Sequence, residues 1–396
     1  MIQFNQISLQ TFLKDYWQKK PLVIRKALPG FINPVSPDEL AGLALEEDVE
    51  SRIVRETPDA LPYWHLQRGP FVVEDFKKLP ESRWTLLVQG VDRMVPEVYD
   101  LLDHFNFIPQ WRIDDVMISY AVLNGSVGPH YDNYDVFLYQ GKGRRKWSLT
   151  SQKCNNENYI KDLELRIMNE FNTEEEFILE EGDMLYLPPH IGHHGISLSD
   201  ECMTYSFGYR SYQGQELWDS LGDYLSENES FKNLYQDPDW SDLAHTSEIK
   251  APAWQSAQKL LQQLIKDESV IKSWFGCFAT RLDQQSEQQL AMPLDEEEIA
   301  DLPDFLAALE VEDGLIRDAS CRFAYLQSED NSSCDLFING CQWCVNDVTS
   351  ELIILIANNR FISTQSIKPF LNSSANQEFI YELWKLQWLQ MSWTGW

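Results

Sequence analysis

Hydrophobic positions along the chain change their period twice. Leu9, Phe12, Leu13, Tyr16 and Trp17 recur at intervals of three and four, which predicts an amphipathic helix with Ser8 as its N-cap. Lys19-Lys20-Pro21 ends it, and Leu22-Val23-Ile24 follows as a buried strand. Ser36-Pro37-Asp38-Glu39 has the form of a capping box with proline at the first helical position, so a second helix starts there. From Trp84 to about Arg210 the helical period gives way to short apolar runs bounded by turn residues. These are Trp84–Val88, Val116–Leu123, Tyr134–Tyr139, Arg144–Leu149, Met184–Leu187 and Cys202–Tyr209. Such a series predicts an antiparallel barrel or sandwich, with Gln140-Gly141-Lys142-Gly143 as a hairpin turn. After Arg210 the helical period returns. Leu217, Trp218, Leu221, Tyr224 and Leu225 form one stripe, and Trp254, Ala257, Leu261, Leu264 and Ile265 another. The polar link Gln236-Asp237-Pro238-Asp239 separates them, and a unit of this kind either dimerises, connects larger domains or packs within its own chain. From about residue 273 the pattern is mixed: an Asn339-Gly340 hairpin between helical segments such as Glu351–Ala357 and Glu378–Leu389, the makings of a winged helix.

Composition narrows the range of partners. The 396 residues are 43% apolar and 13% aromatic, enough for two or three domains with sizeable cores. The net charge of −30 argues against a broad face for nucleic acid and suits a basic protein partner. Residues 273–396 hold six Lys and Arg against 19 Asp and Glu, so the winged-helix segment is expected to touch protein rather than DNA. Seven scattered cysteines do not form a disulfide framework. Cys341-x-x-Cys344 has no second pair at zinc spacing, and an offset of three along a strand sends its side chains to opposite faces, so it is read as structural. With no signal peptide and no apolar run of membrane-spanning length, the expected location is the cytoplasm, away from any membrane.

The candidate chemistry lies in the β-rich stretch. In Gly128-Pro129-His130-Tyr131-Asp132, the i and i+2 side chains share a strand face, so His130 and Asp132 project together at the start of the Tyr134–Tyr139 run. An imidazole and a carboxylate are two thirds of the facial triad that holds non-haem Fe(II) and leaves positions open. Pro188-Pro189-His190-Ile191-Gly192-His193-His194 carries three of the seven histidines, and the residues alone leave His190, His193 and His194 open as the third ligand. Arg145 shares a face with Trp147 and Leu149. A cation there needs an anion, supplied either by an internal carboxylate or by a small acid held in the barrel. Thr204 and Ser206 share one face of the last strand and offer hydroxyls to the same acid. Asp114 and Asp115 precede a core strand and are candidates to face a basic substrate.

Taken together, Gly-Pro-His130-x-Asp132-x-Tyr134-Asp135-Val136-Phe137, Gln140-Gly-x-Gly-Arg144-Arg145 and Gly182-Asp183-x-Leu185-Tyr186-x-Pro188-Pro189-x-x-x-His193-x-Gly195 resemble the JmjC-type ribosomal oxygenases. The likeness is to the bacterial branch that hydroxylates an arginine of a large-subunit ribosomal protein, and Trp111-Arg-Ile-Asp-Asp and Ser36-Pro-Asp-Glu-Leu-Ala-Gly-Leu-Ala add to it. The resemblance implies an α+β chain: a double-stranded β-helix (jelly-roll, cupin-like) catalytic domain over 1–212, a helical dimerisation unit over 213–272 and a winged-helix-like domain over 273–396. It further implies His130, Asp132 and His193 as catalytic ligands of Fe(II), with Arg145 binding the distal carboxylate of the cosubstrate 2-oxoglutarate. O2 would be consumed, succinate and CO2 released, and a basic ribosomal protein hydroxylated by a homodimer with no direct nucleic-acid contact. The alternatives are a same-fold oxygenase acting on another residue such as histidine, and a cupin-like metal-binding protein that is no oxygenase.

Overall fold

Strand alternation builds two facing antiparallel sheets in the N-terminal part of the chain, and one face of the larger sheet is roofed by helices. The structure is a computed structural model, and it describes all residues except 5–6, 62, 229–230, 241–246, 296, 298, 331–332 and 393–396. The strands are β1 (Leu22–Ile24), β2 (Ser51–Glu56), β3 (Trp64–Arg68), β4 (Trp84–Val88), β5 (Ile113–Ala121), β6 (His130–Tyr131), β7 (Val136–Lys142), β8 (Arg145–Thr150), β9 (Glu175–Leu179), β10 (Met184–Leu187), β11 (Gly192–Ser197) and β12 (Cys202–Tyr209). The larger sheet runs β1-β10-β7-β12-β5-β4-β2-β3 and the smaller β6-β11-β8-β9. This arrangement is a double-stranded β-helix.

Each strand of the larger sheet divides its residues by parity. Phe137, Tyr139, Tyr186, Met203, Tyr205 and Phe207 pack outward against the N-terminal helices α1 (Leu9–Asp15) and α2 (Pro37–Leu43), where Phe12 and Leu40 are fully buried. Ser8 caps α1 and Ser36 with Glu39 forms the capping box of α2, so both helix starts lie where the pattern puts them. Val136, Leu138, Leu185 and Leu187 face the other way and meet Trp147 and Leu149 of the smaller sheet. Asp135 is buried at the start of β7, and burial raises its pKa. Tyr186 (2.6 Å) and Gln18 (3.1 Å) donate to its carboxylate and tie the α1 end to β10 and β7.

Two expectations are corrected. Gln140–Gly143 is not a hairpin turn: β7 and β8 belong to different sheets, and the turn carries the chain from one to the other. The His-x-Asp pair likewise does not open the Tyr134–Tyr139 strand. His130 lies on its own two-residue strand in the smaller sheet, paired with β11.

By contacts the chain divides into two compact units, residues 1–211 with 283–291 and 318–320, and residues 212–282 with 292–317 and 321–396. In the second, helix Gly214–Glu227 packs on helix Glu268–Thr280 through Leu221, Trp274 and Phe278. Two three-stranded sheets and helices at Leu302–Val311, Ser350–Asn358 and Ser374–Lys385 complete it. The Asn339-Gly340 hairpin is present, with both residues at positive φ (51° and 85°), as its tight turn requires. The helical segment expected to reach Leu389 ends at Lys385, and Leu389–Met391 is a strand. Among the described residues no helix is long and apolar enough to cross a membrane.

Candidate active site

The smaller sheet brings the proposed ligands together by register. His193 on β11 pairs directly with His130 on β6, across more than 60 residues of sequence. The two rings lie 4.2 Å apart, and His193 Nε2 is 3.6 Å from the Asp132 carboxylate. One donor atom from each of His130, Asp132 and His193 falls within 4.8 Å of the others, the one such group among the described residues. Both imidazoles are oriented in the same way. His130 Nδ1 lies 3.0 Å from the Gly128 carbonyl and His193 Nδ1 3.0 Å from the Ile191 carbonyl, so each Nδ1–H donates to backbone and each Nε2 keeps a free lone pair.

Burial pushes the His193 pKa down to about 4, with His130 adding to the effect and Asp132 opposing it, so the ring is neutral near pH 7. A neutral Nε2 facing a carboxylate oxygen places two lone pairs against each other, an arrangement that a shared cation resolves. Two imidazoles and a carboxylate on one side of a cavity suit Fe(II), with further positions left for other ligands.

Parity explains the other two histidines. His194 points to the opposite face of β11 and hydrogen-bonds Ser126 Oγ at 3.1 Å. His190 is exposed in a left-handed turn (φ 64°), and it is its backbone N–H that donates to the Asp132 carbonyl at 2.8 Å. Gly128 sets the entry to His130. Its φ is +83°, and a Cβ there would meet Ile167 at 2.8 Å.

The cluster opens onto a cavity of about 470 Å³ between the sheets. Arg145, Thr204 and Ser206 line it as the sequence suggests, 3%, 2% and 6% exposed. Among the described residues Arg145 has no carboxylate partner. Its Nε and Nη2 make no hydrogen bond, and these two atoms form one edge of the guanidinium, the edge that receives a carboxylate side-on. A buried cation without an anion costs several kcal/mol (roughly 3–5), so an anionic ligand is the natural complement of this edge. The internal-carboxylate alternative thus finds no support among the described residues. The apolar walls Val136, Leu138 and Trp147 separate the edge from solvent.

The pattern did not single out every residue at the site. Arg52 on β2 lines the cavity, as do Leu165 and Ile167 from the segment whose Tyr159–Met168 bridge folds it beside the opening. Tyr134 sits next to Asp132, and that carboxylate holds its phenol above the usual range. Leu165 and Ile167 alternate with Glu164 and Arg166, and Tyr134 lies two residues beyond Asp132, so both were open to the same parity argument. Asp114 is ion-paired with Arg210, and Asp115 is buried, accepting from Gln89 Nε2 (2.7 Å) and Gly90 N–H (2.8 Å), so neither lines the cavity.

Residues 100–217 match the JmjC domain model and residues 263–390 the ROXA-like winged helix model. The chain is 38% identical over 270 residues to the ribosomal protein uL16 3-hydroxylase of Escherichia coli, covering 68% of this chain and 70% of that one. It is 30% identical over 388 residues to a probable ribosomal oxygenase of Haemophilus influenzae, covering 96% and 93%. The X-ray structure of E. coli YcfD superposes with a TM-score of 0.86 at 31% identity, covering 99% of this chain and all of that one. The complex of E. coli YcfD, a ribosomal oxygenase, with cobalt and 2-oxoglutarate superposes with a TM-score of 0.83 at 30% identity, covering 99% and 100%.

Proposed function

Because the chain belongs to the ribosomal oxygenases of the uL16 hydroxylase family, we propose that it hydroxylates an arginine of a basic large-subunit ribosomal protein, using Fe(II), 2-oxoglutarate and O2. The observation that carries the reading is the buried, unpartnered edge of Arg145 in a cavity that His130, Asp132 and His193 also line. When bound, iron and 2-oxoglutarate supply the oxidation: O2 is consumed, one oxygen atom enters a substrate C–H bond, and 2-oxoglutarate leaves as succinate and CO2. The chain's own residues bind and orient. His130, Asp132 and His193 hold the metal on one side, and Arg145, with the Thr204 and Ser206 hydroxyls, grips the distal carboxylate. Val136, Leu138 and Trp147 keep water from the reacting centre.

A cationic substrate complements the net charge of −30. The enzyme acts in the cytoplasm without touching nucleic acid directly. It is a homodimer, supported by Trp218, Trp254, Leu261 and Ile265, which are 43–52% exposed on helices Gly214–Glu227 and Ala251–Ile265. The division at 212 and 272 into catalytic, dimerising and winged-helix-like parts belongs to the same proposal.

The test is incubation of the recombinant chain with ribosomal protein uL16, Fe(II), 2-oxoglutarate and air, followed by mass spectrometry and succinate assay. One oxygen atom on an arginine, lost with Asp132→Ala, is expected. Oxygen on a histidine instead would move the substrate assignment, and no succinate above an Asp132→Ala control would remove the oxygenase reading.

A further inference from the structure

Beneath Arg145 lies a polar arrangement that the metal and cosubstrate roles leave unused. Gln140 follows Val136 and Leu138 on the same face of β7 and is fully buried. Its Nε2 donates to the Lys142 carbonyl (2.7 Å), the Met203 carbonyl (3.2 Å) and the Cys202 sulfur (3.2 Å). Its Oε1 accepts from the Thr204 hydroxyl at 3.2 Å. The reason for this crowding is a register shift. Met203 pairs with Lys142 but Thr204 pairs with Gln140, so β7 carries one extra residue against β12, and the side-chain amide of Gln140 takes up both carbonyls beside the bulge. Cys202, Thr204 and Ser206 share one face of β12, and Thr204 and Ser206 line the cavity. The Cys202 thiol is fully buried. Burial alone would raise its pKa, but the charge and hydrogen bonding of the adjacent Arg145, with Ser197 and Gln140, bring it down.

We infer that Gln140 is a positioning residue for cosubstrate binding: seated in the β7–β12 bulge, it holds the Thr204 hydroxyl and the Cys202 sulfur beside Arg145, so that the guanidinium presents its free Nε–Nη2 edge to the distal carboxylate. Val136 and Leu138 fill the preceding positions on this face with apolar side chains, so the glutamine answers to the bulge carbonyls and to Thr204 rather than to the apolar packing. An apolar residue at 140 would strip the Lys142 and Met203 carbonyls of their donor and free Thr204 to rotate. Arg145 would then be buried but no longer fixed in direction.

The inference rests on the reading that Arg145 binds the distal carboxylate, and the experiment separates the two. Binding is measured anaerobically on the full-length Fe(II) protein, through the visible charge-transfer band of the chelate. The ligands are 2-oxoglutarate and 2-oxovalerate, which keeps the keto acid but lacks the distal carboxylate. Gln140→Leu is expected to weaken 2-oxoglutarate roughly tenfold, the scale of one ordinary hydrogen bond, while leaving 2-oxovalerate unchanged. Gln140→Glu keeps the shape and the acceptor for Thr204, but draws the guanidinium towards its own carboxylate. It is expected to lower the same ratio further, and it serves if the leucine variant does not fold. Equal weakening of both keto acids, or an unchanged ratio in a protein where Arg145→Met does lower it, overturns the role of Gln140 and leaves that of Arg145 standing. An Arg145→Met protein that still prefers 2-oxoglutarate overturns the reading of Arg145, and the inference with it.

Discussion

At the scale of single residues, function shows as groups that folding alone does not justify. Arg145 is the plainest: a guanidinium 3% exposed, with two of its three nitrogens lacking hydrogen bonds. Replacing an uncompensated buried charge by an apolar residue of similar reach removes a desolvation cost. Arg145→Met is therefore expected to raise the melting temperature of the ligand-free protein by about 2–4 °C for each ~1 kcal/mol relieved. The same substitution should abolish the further rise that 2-oxoglutarate gives to the wild type. Differential scanning calorimetry with and without 2-oxoglutarate checks both, and a destabilised variant would mean the charge has a partner after all. Asp115 makes a different prediction. Burial first, then the Asp114 and Asp92 carboxylates, push its pKa up to about 7, far above its ordinary value of 3.8. A carboxyl whose folded pKa is raised contributes stability fully below about pH 4 and loses it as pH rises through about 7. The wild type should thus lose stability towards neutral pH, with a slope approaching ~1.4 kcal/mol per pH unit, and Asp115→Asn should not. Denaturation at pH 5, 6, 7 and 8 reads this as a gap between the two proteins that widens with pH. A constant gap would show the carboxylate ionised throughout.

At the scale of elements, the site is made by register. His130 and Asp132 were readable as a pair because they are two residues apart, and Arg145 because an arginine shares its strand face with Trp147 and Leu149. The third ligand was not readable from the residues alone. What favours His193 as the proposed third ligand is its pairing with His130 across two short strands, together with the parity that turns His194 to Ser126. The resemblance supplied His193 where local periodicity did not. The misread hairpin at Gln140–Gly143 has a related cause: a Gly-rich turn marks a change of direction but does not say whether the next strand pairs with the last or crosses to another sheet. The segment around Tyr159–Met168 was missed although Leu163, Leu165 and Ile167 alternate with Glu164 and Arg166 at the strand period, because the run is short, forms only the isolated Tyr159–Met168 bridge and still packs beside the cavity. That packing has a testable consequence at Gly128, where φ is +83° and an added Cβ would lie 2.8 Å from Ile167. Gly128→Ala is expected to cost about 1–2 kcal/mol from the left-handed backbone alone. It should also loosen Fe(II) binding, since His130 follows two residues later and its Nδ1–H is held by the Gly128 carbonyl. Metal titration beside thermal melting separates the two effects, and a stable variant with unaltered metal affinity would show that the turn does not set the His130 geometry.

At the scale of the whole molecule, charge sets the terms of encounter. A net charge of −30 over 396 residues repels polyanions at long range and draws in a basic protein before any specific contact forms. The cavity itself is not acidic: Arg52, Arg68, Arg145 and Arg166 all line it, against Asp132 and Glu164, and Glu164 is already paired with Arg68 at 2.6 Å. Attraction of a cationic substrate therefore comes from the remaining surface rather than from the mouth, and the small anionic cosubstrate meets arginines as it enters. These two ligands should respond differently to salt. For the ribosomal protein, kcat/KM is expected to fall several-fold, on the order of tenfold, between about 50 and about 300 mM NaCl as the screening length shortens, while kcat stays level. The KM for 2-oxoglutarate should change far less, because Arg145, its proposed partner, is buried where salt screens weakly. Steady-state kinetics on the full-length enzyme at four or five ionic strengths measures both. A flat response of kcat/KM for the protein substrate would assign the acidic surface to solubility and leave recognition to contacts at the cavity mouth.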